Sequence, residues 1–193
     1  MRSVAEPGTP ASSGDERAGA APCAAPAGIA ALRMRWRLVD RIDELERDRF
    51  VAGTVSFSPD LELFQDHFPG FPVVPGVVLM ESLAQIAGKL IGYSVRLGRG
   101  DWPFPILSMM QAVKFRKFVR PGEVVRLEAR LLSLRDESAV VDVRAWVNGR
   151  TVAQAEQTFV FNAVPLDSPA EGDRLEQIER SELRRLWAEY PGD

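Results

Sequence analysis

The chain has 193 residues, 46% of them hydrophobic, which is enough for one domain whose buried core needs no disulfide or metal. Its single cysteine, Cys23, excludes a disulfide framework or a cysteine-rich zinc site within one chain, and its single histidine argues against a histidine metal site. The net charge of −3 gives no reason to expect nucleic-acid binding, and the longest apolar run, interrupted by charges, falls short of a membrane span, so a cytoplasmic protein is the default expectation.

Residues 1–33 are predicted to form a disordered tail. They are rich in alanine, proline, glycine and serine, with Val4 and Ile29 as sizeable apolar side chains. Such a segment buries too little apolar surface to offset the entropy lost on ordering. Folded character begins at Met34, which suggests the hypothesis that translation starts there and that the tail is a start-site artefact.

Residues 34–164 are predicted to form the folded domain, which opens with a strand and a long helix. The segment "RFVAGTVSF" has the composition of a strand, and a proline-rich loop follows it. From Gly76 the sequence "GVVLMESLAQIAGKLIGYSV" contains good helix formers and is apolar on nearly every side. This pattern predicts a buried helix, and Pro75 stands where a first-turn proline is favoured.

The second half of the domain is predicted to be a set of antiparallel strands. Apolar residues alternate with polar ones in "VVRLEARLLSL" and again in "SAVVDVRAWV", and Asn148-Gly149 is a strong signal for a two-residue hairpin turn. A sheet wrapped around one helix explains why the helix has no polar face. The predicted class is therefore α+β, with an antiparallel sheet around one long buried helix.

Residues 165–193 are predicted to be a charged helical extension. They contain four basic and eight acidic residues, a net charge of −4. The helix is expected over 173–190, packed on the domain or on a partner subunit. The apolar stripe expected on it consists of Leu175, Ile178, Leu183, Leu186 and Trp187.

The only histidine, His67, lies in a stiff loop and is the first candidate site residue. A lone loop histidine is usually a surface or half-buried residue without a role. The surrounding "HFPGFPVVPG", however, holds three prolines and two glycines in ten residues. A loop that restricts its own backbone in this way favours a functional role for its side chains.

Three residues of the long helix complete the candidate site. Glu81 is a carboxylate on an otherwise apolar helix, which is costly unless the group is paired or protonated, and it is a candidate general acid. Gln85 follows at i+4 and can hold that carboxyl, or it is simply a polar residue at the helix edge. Gly76 has a backbone N–H without a helical acceptor, which can stabilise an oxyanion, or it serves only a tight turn.

Two motifs together resemble a known enzyme family. The stretch "HFPGFPVVPGVVLMESLAQ" is similar to the signature of the 3-hydroxyacyl-[acyl-carrier-protein] dehydratases of type II fatty acid synthesis. The later "VKFRKFVRPGE" and "VNGRTVAQAE" resemble further segments of that family, so the likeness covers about residues 36–162. It implies a hotdog fold, and glutamate rather than aspartate at position 81 resembles the pure dehydratase branch.

The resemblance also implies a reaction and an assembly. His67 would take the α-proton of a 3-hydroxyacyl thioester, Glu81 of the neighbouring subunit would protonate the departing hydroxyl, and Gly76 would bind the thioester oxygen. The site would lie in a tunnel at the interface of a homodimer, or of a trimer of dimers, and would use no metal or redox cofactor. Phe71 would contact the substrate.

Several departures from the family pattern leave the substrate open. Asp66 replaces the usual glycine before His67, and Phe71 stands where histidine is common. Acyl chain length and pathway, whether housekeeping fatty acid or specialised product, therefore stay undetermined. The alternatives are a hotdog thioesterase and a non-catalytic hotdog subunit, although the latter would be expected to lack His67 or Glu81.

The basic run "KFRKFVR" is a candidate docking surface for an acidic acyl carrier protein. It contains Lys114, Arg116, Lys117 and Arg120 without an acidic residue. On a strand these side chains would alternate between faces, so not all would share one patch. A solvated sheet edge, where lysines discourage aggregation, explains the run equally well.

Overall fold

The computed structural model describes residues 36–161 and 168–191 of the chain. The predicted tail, 1–33, and Met34 lie outside the described residues. So does the predicted boundary at residue 164, which stays a prediction. The elements of the described ranges are β1 (Arg41–Glu46), β2 (Phe50–Ser56), α1 (Leu63–Asp66), α2 (Gly76–Arg99), β3 (Ile106–Phe115), β4 (Val124–Leu134), β5 (Ser138–Val147), β6 (Arg150–Val160) and α3 (Pro169–Leu186).

The six strands form one antiparallel sheet in the order β1-β2-β4-β5-β6-β3. The alternation seen in the sequence places one face of β4 and β5 in the core, where Val125, Leu127, Val141 and Val143 have no exposed surface. At the β5–β6 turn, Asn148 and Gly149 both have positive φ, 49° and 73°, as a type I′ turn requires. The α+β architecture expected from the sequence is confirmed.

The long helix α2 is the centre of this architecture. It has 24 residues, begins at Gly76 as predicted, and packs against all six strands. Core side chains such as Leu83, Ile86 and Leu90 are fully buried. The helix continues four residues past the predicted end, to Arg99, because Gly100 adopts a left-handed conformation (φ 92°) and caps it.

A close contact between α2 and the following loop forms part of the candidate site. The indole of Trp102 lies directly on Gly92, where an added Cβ would overlap Trp102 Cζ2. Any side chain at Gly92 would therefore displace the ring. Glycine at this position lets Trp102, itself 4% exposed, become a wall beside the helix.

The C-terminal helix α3 packs on the domain itself. It begins at Pro169, four residues before the predicted start at 173, because Ser168 is its N-cap and accepts a hydrogen bond from Glu171 N. The sequence "SPAE" carries this capping signal, with Pro169 at the first helical position.

One face of α3 is buried, but the predicted apolar stripe is not fully correct. Leu183, Leu186 and Trp187 are buried, and Trp187 forms a parallel bridge with Ile42 of β1. Ile178, by contrast, is 46% exposed, because α3 contacts the domain through its C-terminal half and through charged residues.

The two edge strands of the sheet differ in what packs against them. Edge strand β1 is short and charged, and α3 and Trp187 pack against it. On edge strand β3, in the part of the chain that is described, no further strand pairs with the outer side. Its exposed apolar side chains are Ile106, Met109, Met110, Val113 and Phe115. An edge of this kind is a template for pairing with another chain.

Candidate active site

The His67 ring is held in one orientation by the loop that contains it. Nδ1 lies 3.1 Å from the carbonyl oxygen of Val73, and Val73 N donates to His67 O at 3.0 Å. The carbonyl oxygen only accepts, so Nδ1 carries the proton and Nε2 of the neutral ring has the lone pair. The loop thus presents Nε2 as a proton acceptor.

The surroundings of His67 are aromatic rather than acidic. Phe68 stacks on the imidazole at 4.2 Å between centroids. Asp66, which stands directly before the histidine in place of the usual glycine, is exposed at the end of α1. Its side chain is therefore in solvent, although the residue belongs to a short helix and not to the loop.

Gly76 opens α2 directly beneath an aromatic ring. An added Cβ would lie 2.7 Å from two ring carbons of Phe115, so a side chain at position 76 would displace that exposed ring. The backbone of Gly76 is not at positive φ, so a left-handed conformation does not explain the glycine. Phe115 comes from the exposed edge strand β3, and no pattern in the sequence predicted this contact.

Two side chains donate hydrogen bonds to the same carboxylate oxygen of Glu81. Gln85 Nε2 donates to Glu81 Oε1 at 3.0 Å, the contact that the i,i+4 spacing predicts, and Trp36 Nε1 donates to Oε1 at 3.2 Å. Because Oε1 is the acceptor of both bonds, the proton of a neutral carboxyl belongs on Oε2. That oxygen is then free to donate to a bound hydroxyl.

Gln85 also fastens the segment before β1 to the helix. Its Oε1 accepts from Leu38 N at 2.8 Å, and its Nε2 donates to Trp36 O at 3.2 Å. Trp36 is thereby positioned over Glu81, although it lies 45 residues away in the chain. Sequence reasoning missed Trp36, because no local pattern contains such a contact.

Glu81 and Gln85 line a cavity of about 640 Å³, a size typical of small-ligand sites. Its walls are mostly apolar. They are formed by Trp36, Val39, Ala84, Gly88, Trp102, Phe104, Pro105, Ile106, Leu107, Phe159 and Leu186, with Arg37, Lys89, Glu179 and Glu182 as further polar members. His67 does not line this cavity, so one protomer does not bring its own His67 and Glu81 together there.

Phe71 connects the histidine loop to the basic run. Its ring meets Phe118 edge-on at 5.8 Å, and the guanidinium carbon of Arg120 lies 5.2 Å from the ring centroid. Phe71 and Phe118 are 42% and 72% exposed, so together with Arg120 they form an exposed aromatic and basic rim near the loop.

The basic run lies mostly outside the strand. β3 ends at Phe115, so Lys114 belongs to it, whereas Arg116, Lys117 and Arg120 follow in the loop before β4. All four are exposed, and Arg116 binds Gln154 Oε1 at 3.0 Å. The strand-alternation argument against a shared patch therefore applies only to Lys114.

Residues 36–161 and 168–191 contain no group of three or more His, Cys, Asp or Glu side chains arranged to hold a metal ion. Over the same ranges, no helix is long and apolar enough to cross a membrane.

Comparisons of the sequence point to one enzyme family. A family model described as FabA-like domain matches residues 31–156. A 3-hydroxyacyl-[acyl-carrier-protein] dehydratase FabZ from Pediococcus pentosaceus is 39% identical over 125 residues, which are 65% of this chain and 82% of that protein. A protein of the same name from Syntrophotalea carbinolica is 36% identical over 129 residues, 67% of this chain and 86% of that protein.

Solved structures share the fold at low sequence identity. The dehydratase heterocomplex ApeI:P from Xenorhabdus doucetiae has a TM-score of 0.56 and 19% identity, covering 72% of this chain and 89% of that chain. A hypothetical thioesterase with coenzyme A from Streptococcus pneumoniae has a TM-score of 0.50 and 18% identity, covering 63% and 84%. At such identities the likeness concerns the fold alone, and the hotdog fold expected from the sequence is confirmed.

Proposed function

Because the chain belongs to the FabA-like domain family and to its 3-hydroxyacyl-[acyl-carrier-protein] dehydratases, we propose that it dehydrates a (3R)-3-hydroxyacyl thioester on acyl carrier protein. The product is the trans-2-enoyl thioester, and the by-product is water. The observation that carries the proposal is the carboxyl of Glu81, held at Oε1 by two donors and lining a largely apolar cavity.

The proposed reaction begins at the imidazole. Nε2 of His67 takes the proton from the α-carbon of the thioester, because the contact of Nδ1 with Val73 O leaves the lone pair on Nε2. Negative charge then moves to the thioester oxygen. The N–H of Gly76, at the positive end of α2, stabilises that charge.

In the second half of the proposed reaction, the β-hydroxyl departs. Oε2 of a protonated Glu81 donates its proton to the β-hydroxyl, the C–O bond breaks, and water leaves as the α,β double bond forms. Gln85 and Trp36 fix the direction of Oε2 by binding Oε1. After turnover His67 holds one extra proton and Glu81 lacks one, so a proton exchange with solvent restores both groups.

The proposed enzyme is a homodimer that pairs through β3. The exposed apolar residues of this edge strand support a second copy as its occupant, since the opposite edge is already covered by α3. Phe115 of the same strand lies on Gly76, so the edge adjoins the proposed oxyanion site. Pairing there would bring Glu81 of one protomer towards His67 of the other. Whether three such dimers assemble, and the cytoplasmic location, stay predictions.

The test of the function is mass spectrometry of a 3-hydroxyacyl carrier protein after incubation with the protein. We expect the acyl group to lose one water and an enoyl absorbance to appear, while free thiol stays at the background level. Release of free thiol would instead identify a thioesterase. An unchanged substrate across a range of chain lengths would favour a non-catalytic subunit. Neither alternative is favoured by a specific contact in the site.

The basic run is proposed to dock the acidic carrier protein. We expect Lys114→Ala/Lys117→Ala to raise the KM for a carrier-bound substrate by about five- to tenfold at low salt, because opposite charge steers the encounter. The kcat should change little, and a pantetheine thioester should react as with wild type. Steady-state kinetics at two salt concentrations measure both effects.

The matched control removes two exposed arginines elsewhere on the sheet, Arg126→Ala/Arg144→Ala. These arginines pair with Glu128 and Asp142 of their own strands. An equal rise in KM for this control would show that net charge, and not the basic run, governs docking.

A further inference from the structure

Charged side chains of α2, α3 and the segment before β1 line the cavity that contains Glu81, and one of them, Lys89, is buried. Lys89 of α2 is 7% exposed, and its ammonium lies 2.6 Å from Glu179 and 3.3 Å from Glu182 of α3. Arg37 lies 3.4 Å from Glu182, and Arg185 of α3 lies 3.6 Å from the same carboxylate. We call Arg37, Lys89, Glu179 and Glu182 the ion cluster. All of them line the cavity.

Lys89 of the ion cluster and Glu81, the proposed acid, lie about two turns apart on the same face of α2. Glu81, Gln85 and Lys89 follow one another at intervals of four residues, which places them along one stripe. Eight residues of helix correspond to about 12 Å. The cavity that Glu81 and Lys89 both line has mostly apolar walls, which include Trp102 and Phe159.

Part of the charged wall of the cavity lies outside the segment that the family model matches. The family model ends at residue 156, before α3 begins at Pro169. Glu179, Glu182 and Leu186 of α3 nevertheless line the cavity. Helix α3 therefore lies outside the part of the chain that the family model matches, and its side chains contribute to the shape and the charge of the space beside Glu81.

On the basis of the proposed function, we propose that the ion cluster ends the acyl-binding channel. The length of this channel then determines acyl-chain specificity, and the enzyme prefers medium-length chains. The β-carbon of the substrate lies at Glu81 during the reaction, and the rest of the chain extends along the apolar wall towards Lys89. With C–C bonds of about 1.5 Å that advance roughly 1.25 Å each, the 12 Å accommodate about ten bonds. The preferred substrates then have up to roughly twelve carbons.

The physical reason for the limit is the cost of removing a partner from the buried ammonium of Lys89. An apolar chain that passed the ion cluster would have to separate Lys89 from Glu179, its nearer carboxylate partner. The methylenes gained would be buried against ions instead of apolar groups. Longer chains are consequently expected to bind no better, or less well, than chains that stop at the ion cluster.

The experiment compares rates for carrier-bound 3-hydroxyacyl chains of 6 to 16 carbons in wild type and in Lys89→Ala/Glu179→Ala. This double substitution leaves the net charge unchanged and keeps Glu182 paired with Arg37. We expect the kcat/KM of the 16-carbon chain, relative to the 8-carbon chain, to rise about tenfold, the effect of burying roughly two further methylenes.

The matched control is Arg96→Ala/Glu176→Ala, which removes another α2–α3 ion pair, 3.0 Å long, from residues that do not line the cavity. This variant should retain the wild-type chain-length profile. A control that shifts the profile as much as the ion-cluster variant would overturn the proposal, as would an ion-cluster variant that changes all chain lengths by one factor.

A binding measurement on the unaltered protein separates this inference from the proposed function. Non-reactive acyl-pantetheine amides of increasing length should bind more tightly with each added carbon up to about twelve, and no more tightly beyond. If this break appears but no thioester is dehydrated, the length limit holds and the dehydratase assignment fails. If dehydration occurs and affinity rises steadily to 16 carbons, the length limit is wrong.

Discussion

Replacing His67 by alanine is expected to lower the rate of dehydration by about a thousandfold, because loss of a positioned general base commonly costs 10²- to 10⁴-fold. The imidazole is held by its Nδ1 bond to Val73 O, and no other imidazole exists in the chain to replace it. The measurement is single-turnover conversion of a 3-hydroxyacyl carrier protein to its enoyl form.

The stability of this variant should fall by only about 1 kcal/mol, since the side chain is half-buried and gives up one hydrogen bond. Thermal unfolding and oligomeric state check that expectation. The neighbouring Asp66→Asn is the matched control, because its exposed carboxylate lies beside the histidine in sequence and should change the rate less than about threefold. A His67→Ala protein that keeps most of its activity would refute the assignment of the base.

Local patterns in the sequence were sufficient for most of the fold. The alternation of Val141, Val143 and Ala145 predicted a strand with one buried face, and all three have no exposed surface. Asn148-Gly149 predicted a two-residue turn, because few other pairs accept positive φ at both positions. These signals are local, and each depends on residues within one element.

The contacts of the candidate site were also predictable only where both residues lie in the same helix or strand. Glu81 and Gln85 share a helix face, so their hydrogen bond follows from a spacing of four residues. The Trp36 bond to Glu81 and the Phe115 ring over Gly76 join distant parts of the chain. They depend on how β1 and β3 are placed around α2, which no pattern within one element specifies.

The ion cluster illustrates the same limit. Lys89 interrupts an apolar helix, and in the sequence it reads simply as a break in hydrophobicity. Its carboxylate partners lie 90 and 93 residues further on, in a helix whose start was predicted four residues too late. Only the packed structure explains why a lysine is tolerated there, since a buried ammonium needs opposite charge close by.

The division of the active site between two protomers gives the second large expected effect. A heterodimer of His67→Ala and Glu81→Gln subunits should have about half of the wild-type activity, although each homodimer is nearly inactive. If Glu81 acts across the interface, one of the two sites in this heterodimer combines an intact His67 with an intact Glu81. Co-expression with two different affinity tags and sequential purification isolates the mixed species, and its dehydration rate is compared per dimer.

The reciprocal control joins a wild-type subunit to one that carries both substitutions. Shared sites leave this heterodimer with one altered residue in each site and hence almost no activity, whereas sites contained in single protomers leave it half active. Shared sites thus make the first heterodimer active and the second inactive, whereas sites within single protomers make the first inactive and the second active. His67 lies outside the cavity that Glu81 lines in its own protomer, so we expect the first heterodimer to be active and the second to be inactive. The opposite result would place both residues of a working site in one chain.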